Sequence, residues 1–84
     1  MKLVFADAAW EDYLYWQKQD KRMVVGINKL ISETQRDPFA GIGKPEPLKH
    51  ALSGFWSRRI TDEHRMIYKL EPDALLIAML RYHY

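Results

Sequence analysis

Met23, Val24, Ile27, Leu30, Ile31 and Thr34 return at steps of three and four through a segment free of proline, a spacing that predicts an amphipathic helix. No other feature restricts the fold as much, because its apolar stripe has to be covered by another element. Asp20 is placed to cap this helix and Asp37-Pro38 to end it. Gly26 falls inside it, at a cost of roughly 1 kcal/mol against alanine, and reads as a tolerated imperfection, with a close backbone contact as the alternative. Upstream, Asp7 is placed to cap a first helix running from Ala8 to about Lys18, along which Ala9, Tyr13 and Trp16 or Gln17 recur at helical spacing. Trp10, Tyr13, Tyr15 and Trp16 surround much of that helix. One buried stripe does not absorb them all, so one or two are expected to meet another chain.

The covering surface is predicted to be a sheet. Leu3-Val4-Phe5-Ala6 reads as a buried strand, Phe55 to Ile60 as a second, and Arg65 to Leu70 as its return after a turn at Asp62-Glu63. A turn at Glu71-Pro72-Asp73 leads into Ala74 to Leu80, a run apolar on both faces and therefore placed centrally. Gly41, Gly43, Pro45 and Pro47 mark the residues after Pro38 as a loop. The order β-α-α-loop-β-β-β predicts an α+β fold, with two N-terminal helices packed on one face of a small, mainly antiparallel sheet and the other face free to bind. Residues 1–84 leave room for a single domain.

Cysteine is absent, which excludes disulfides, thiolate zinc sites and cysteine nucleophiles. His50, His64 and His83 lack the spacing of a metal motif, so neither a metal nor another cofactor is expected. There is no long apolar run, and the expectation is a cytoplasmic protein with neither signal peptide nor membrane span. The formal charge of +2 is unevenly spread: residues 1–42 carry six basic and six acidic side chains, residues 43–84 seven and five, together with all three histidines. So small a surplus does not support avid non-specific binding to nucleic acid, and any contact with RNA has to rest on local geometry in the second half.

That half holds KPEPLKH at 44–50, LSGFWSRRI at 52–60, the triplet EHR at 63–65 and a terminal RYHY. With these motifs, its length and its helical first half, the chain resembles the YoeB toxins of the RelE superfamily over its whole length. The resemblance implies a RelE-like fold of the microbial ribonuclease kind and a metal-independent endoribonuclease that cuts messenger RNA in the ribosomal A site. It also implies neutralisation by a YefM-like antitoxin, and the family includes homodimers. On the positions that match, Glu46, Arg65 and His83 take the catalytic roles, and Lys49, Arg59 and Tyr84 contact or orient the substrate.

Metal-free RNA cleavage needs a base for the 2′-hydroxyl, an acid for the departing 5′-oxygen and positive charge around the transition state. Glu46, braced by Pro45 and Pro47, is the candidate base and His83 the candidate acid, proton transfers typically worth about 10²–10⁴-fold in rate. Arg65, helped by Arg59 and Lys49, would stabilise charge on the non-bridging oxygens. Taken singly, each residue has a plainer reading: Glu46 an exposed loop acid, His83 a solvated residue near a chain end, Arg58-Arg59 a solvated edge. Arg65 reads equally as a partner for Asp62 or Glu63, His64 as a surface side chain, and Phe55, Trp56, Tyr68 and Tyr82 as core. Strand alternation puts Phe55, Ser57 and Arg59 on one face and Trp56, Arg58 and Ile60 on the other. The competing functional class is a non-catalytic ParE-like toxin on the same fold that binds DNA gyrase. A free-standing nuclease is a third reading, disfavoured by the modest charge.

Overall fold

In the structure, a computed structural model that describes residues 1–82, the long amphipathic segment is helix α2 (Lys21–Arg36). Ile27, Leu30, Ile31 and Thr34 are buried, and Met23 and Val24 pack partly against them. The Thr34 hydroxyl donates to the Leu30 carbonyl at 2.7 Å, which lets a polar residue occupy the stripe. Asp20 is the cap: its carboxylate accepts the Arg22 N–H at 3.0 Å. The hydrogen bonds from the Arg22 side chain and backbone hold its carboxyl below the usual aspartate value. Open space surrounds the Cβ position of Gly26, so the glycine serves no close contact.

Helix α1 (Asp7–Gln19) begins one residue earlier than expected, and Asp7 does not cap it. Ala6 takes that position without any side-chain bond. Its N–H is tied to the Ile77 carbonyl and its own carbonyl to the Trp10 N–H, so the sheet itself sets the entry of the helix. Asp7 lies in the first turn, where a carboxylate is favourable to the helix dipole.

Five strands form one sheet in the order β1-β5-β4-β3-β2, namely β1 (Lys2–Phe5), β2 (Glu46–Pro47), β3 (Trp56–Arg59), β4 (Arg65–Glu71) and β5 (Ala74–Met79). The pair β1·β5 is parallel, and the three other pairs are antiparallel. Three expectations need correction. The first strand is an exposed edge, with Leu3 41% and Val4 42% accessible, because β5 covers only one of its sides. The centre of the sheet is β4, and β5 is interior but alternates, burying Leu75 and Ile77 while Leu76 and Ala78 are half-buried. Finally, the loop after Pro38 contains a strand, β2, of only two residues. Pro47 can sit there because an edge strand needs ladder bonds on one side only.

Cross-strand register separates the two faces. Trp56, Arg58, Met66, Tyr68, Leu75 and Ile77 line up on the helix side, and the core cluster joins the last four to Ala9, Trp16, Ile27, Leu30, Ile31 and Leu80. The opposite face carries Glu46, Ser57, Arg59, Arg65, Ile67 and Met79. Among the described residues no helix is long and apolar enough to cross a membrane.

Candidate active site

Glu46 is held from both ends of β2. On one side Gly43, at φ 81°, gives its carbonyl to the Arg59 N–H at 2.6 Å, and Lys44 turns the chain at φ 50°. On the other, Leu48 is buried and its N–H donates to the Phe55 carbonyl at 2.9 Å. Between these pins Glu46 pairs with Ser57, so its exposed side chain rises from the face opposite the helices.

Arg59 and Arg65 rise from that same face and pair directly across β3 and β4. Strand spacing near 4.8 Å and a rise near 3.3 Å per residue put the Glu46 Cα roughly 8 Å from that of Arg59 and about 12 Å from that of Arg65. Three long polar side chains so spaced can reach one phosphodiester. Like charges directly opposite one another destabilise a sheet, and an anion seated over the pair relieves that cost. Among the described residues neither arginine makes an ion pair.

Arg65 does not pair with the carboxylates of Asp62 or Glu63. Its Nη1 donates instead to the carbonyls of Thr61, Asp62 and His64 at 2.6, 2.8 and 3.2 Å. The turn thereby steers the guanidinium without neutralising it. Lys49 lies just past β2, and with Glu46, Pro47, Leu48 and His50 it lines an open depression of about 300 Å³. His50, exposed and at φ 58°, is a site neighbour that metal-motif spacing passed over. Its place directly after Lys49 in KPEPLKH was the signal for it.

Arg58 overturns its reading as a solvated edge, for it is wholly buried. Its Nε donates to the Tyr68 hydroxyl at 3.2 Å, its Nη1 to the Ile42 carbonyl at 3.1 Å, and its Nη2 to the carbonyls of Ala40, at 3.0 Å, and Asp37. The Tyr68 hydroxyl donates in turn to the Pro38 carbonyl at 2.6 Å. A buried cation is tolerated here because loop carbonyls and the negative end of α2 surround it. Through these bonds Arg58 fastens the segment from Asp37 to Ile42, which leads to Glu46, onto the helix side of the sheet.

His64 is likewise no surface side chain. It is 9% exposed, with its ring edge-on to Trp16 at 4.8 Å between centroids. Phe55 and Trp56 are half-buried, Tyr68 is fully buried as expected of core, and Tyr82 is 55% exposed. Glu46, Arg59 and Arg65 thus share one face of the sheet, and Lys49 lines the depression beside Glu46. His83 and Tyr84, the remaining predicted site residues, lie outside the described residues.

Residues 5–84 match the model of the YoeB-like toxins of bacterial type II toxin-antitoxin systems. This chain is a member of the YoeB-like toxin family. It is 64% identical over 84 residues to toxin YoeB of Escherichia coli K12, with all of both chains covered. Among solved structures it is similar to a YoeB/ParE toxin from Agrobacterium tumefaciens, at TM-score 0.98, 51% identity and full coverage of both chains. It is also similar to a YoeB dimer from Staphylococcus aureus, at TM-score 0.93 and 45% identity, covering 100% of this chain and 98% of that one. The YoeB of a heterotetrameric YoeB-YefM complex from the same organism matches at TM-score 0.91 and 45% identity, again over 100% and 98%. A YoeB-like toxin of this kind is therefore built as two helices on a five-stranded mixed sheet, and its α+β class is the one that the order of elements predicted.

Proposed function

We propose that this YoeB-like toxin is a metal-independent endoribonuclease that cuts messenger RNA in the ribosomal A site and so stops translation. The observation that carries the proposal is the register β2·β3·β4, which aligns an acid, Glu46, with two arginines, Arg59 and Arg65, that make no ion pair among the described residues, on the face opposite the helices. Glu46 takes the proton from the 2′-hydroxyl, whose oxygen attacks the adjacent phosphorus. Arg65 and Arg59 hold the non-bridging oxygens as their charge grows, and Lys49 holds a neighbouring phosphate. The P–O5′ bond breaks as the 5′-oxygen takes a proton from His83, leaving a 2′,3′-cyclic phosphate and a 5′-hydroxyl. Tyr84 orients the scissile nucleotide beside it. DNA lacks the nucleophile and is left intact.

A net charge of +2 gives little hold on free RNA, which is why the ribosome supplies the positioning. A YefM-like antitoxin neutralises the toxin by covering this face, a reading supported by the YoeB-YefM complex of the similar Staphylococcus aureus protein. The protein acts in the cytoplasm, where ribosomes are. The deciding experiment incubates the purified protein with programmed ribosomes, with naked messenger, and separately with gyrase and supercoiled DNA. Cleaved message with 5′-hydroxyl ends on ribosomes alone is the expected result. Intact message together with inhibited supercoiling would replace the enzyme with a ParE-like gyrase binder.

A further inference from the structure

The polypeptide leaving β5 is seized at successive residues before it reaches His83. Leu80 is held by α1 at both backbone groups: its N–H donates to Asp12 Oδ2 at 3.0 Å and its carbonyl accepts Trp16 Nε1–H at 2.9 Å. The Arg81 guanidinium lies 3.6 Å over the Tyr15 ring and 4.7 Å over that of Tyr82. Tyr82 is then bound on both sides by the first residues of β4 and the turn before it. Its N–H donates to His64 Nδ1 at 2.8 Å, and its carbonyl accepts the Arg65 N–H at 3.1 Å. At φ 65°, Tyr82 occupies the left-handed region that a bulky residue rarely enters unsupported.

This arrangement fixes the proton on the imidazole. Nδ1 accepts from a backbone N–H and so carries no proton, while Nε2, 3.0 Å from Glu63 Oε1, carries it. Among the described residues, Trp16 Nε1–H is given to the Leu80 carbonyl, so the indole that α1 sets nearly perpendicular to the ring does not donate to Nδ1.

We propose that His64 is a positioning residue for the reaction: its unprotonated Nδ1 fixes Tyr82, and with it the point from which the catalytic tail departs beside Arg65. The proposal rests on the reading of His83 as the acid. The Arg65 backbone and the His64 ring thus register Tyr82 against the strand that supplies the phosphate clamp.

The test uses full-length protein and the two amide replacements of histidine. In His64→Asn the carbonyl oxygen takes the place of Nδ1, and in His64→Gln it takes the place of Nε2. On programmed ribosomes His64→Gln should lower kcat on the order of 10- to 100-fold with little change in KM, the cost expected of a misplaced catalytic group, and His64→Asn should recover most of it. In the wild-type protein a scalar coupling across the hydrogen bond should link the Tyr82 amide proton to His64 Nδ1. Glu63→Ala, a change at an exposed side chain, frees the tautomer and should weaken both that coupling and kcat. It stands in where the His64 variants do not fold. Equal losses in Asn and Gln, full kcat in Gln or in a Glu63→Ala protein lacking the coupling, or no coupling in the wild type would each overturn the proposal. Failure of wild-type cleavage with the coupling present would instead overturn the enzymatic reading and leave the latch standing.

Discussion

Glu46 is exposed on an edge strand and Arg58 is wholly buried beneath the neighbouring one, so substitution should separate chemistry from stability. Glu46→Gln keeps the shape and removes the proposed base. It should cut kcat on ribosomes about 10²–10⁴-fold while the thermal midpoint stays within error. Arg58→Met should do the reverse, lowering unfolding free energy in urea by at least about 3 kcal/mol, since it leaves the carbonyls of Asp37, Ala40 and Ile42 and the Tyr68 hydroxyl without their donor. Tyr68 extends the argument to pH. Burial, only partly offset by the hydrogen bond from Arg58, raises its hydroxyl above the ordinary value of 10.0. A raised value in the folded state contributes stability that is fully present below the unfolded value and lost as pH rises through the folded one. Alkaline unfolding above pH 10.0 should therefore be steeper in the wild type than in Tyr68→Phe, which at neutral pH is less stable by roughly 1–3 kcal/mol.

The two glycines at α2 and ahead of β2 make a contrasting pair. Gly26 has nothing within 4 Å of its Cβ position, so Gly26→Ala should stabilise the protein by up to about 1 kcal/mol in chemical denaturation. At Gly43 the φ is +81° and a Cβ would meet Leu30 Cδ1 at 2.9 Å and the Arg59 carbonyl at 3.1 Å. Gly43→Ala should lower both stability and cleavage, because the displaced turn carries β2 and Glu46 with it. Helix α2 was legible in the sequence because its signal is local, a stripe repeated within one segment. Strand β2 was not, since Glu46 and Pro47, following Pro45, read as loop until Ser57 and Trp56 pair with them. The Arg58 and His64 roles were hidden for the same reason. Alternation put Arg58 on one face with Trp56 and Ile60, yet the carbonyls that make a buried cation tolerable lie 16 to 21 residues away, and the N–H that engages His64 lies 18 residues on.

Taken as a whole, the molecule keeps Glu46, Arg59 and Arg65 on the sheet face away from the helices and leaves a second apolar surface on the other side, around the β1 edge and α1. Trp10 is 48% exposed, Leu14 44% and Tyr15 36%, and Trp10 with Phe5, Tyr13, Leu3 and Ile31 borders a groove of about 280 Å³. The surplus of aromatics on the first helix is thus partly exposed, and the outer side of β1, which no described strand covers, adds an edge that invites association. A second copy of the chain is the occupant proposed here, consistent with the YoeB dimer of the similar Staphylococcus aureus protein. Light scattering should then report a dimer that dissociates on dilution, and the thermal midpoint should rise with protein concentration, as mass action requires when only the folded form associates. Trp10→Ser should shift the population to monomer and abolish that concentration dependence while kcat on ribosomes is retained, because Glu46, Arg59 and Arg65 stand on the opposite face. A wild-type midpoint independent of concentration would leave the groove to the antitoxin, and loss of cleavage in a folded Trp10→Ser monomer would mean that the two faces are not independent.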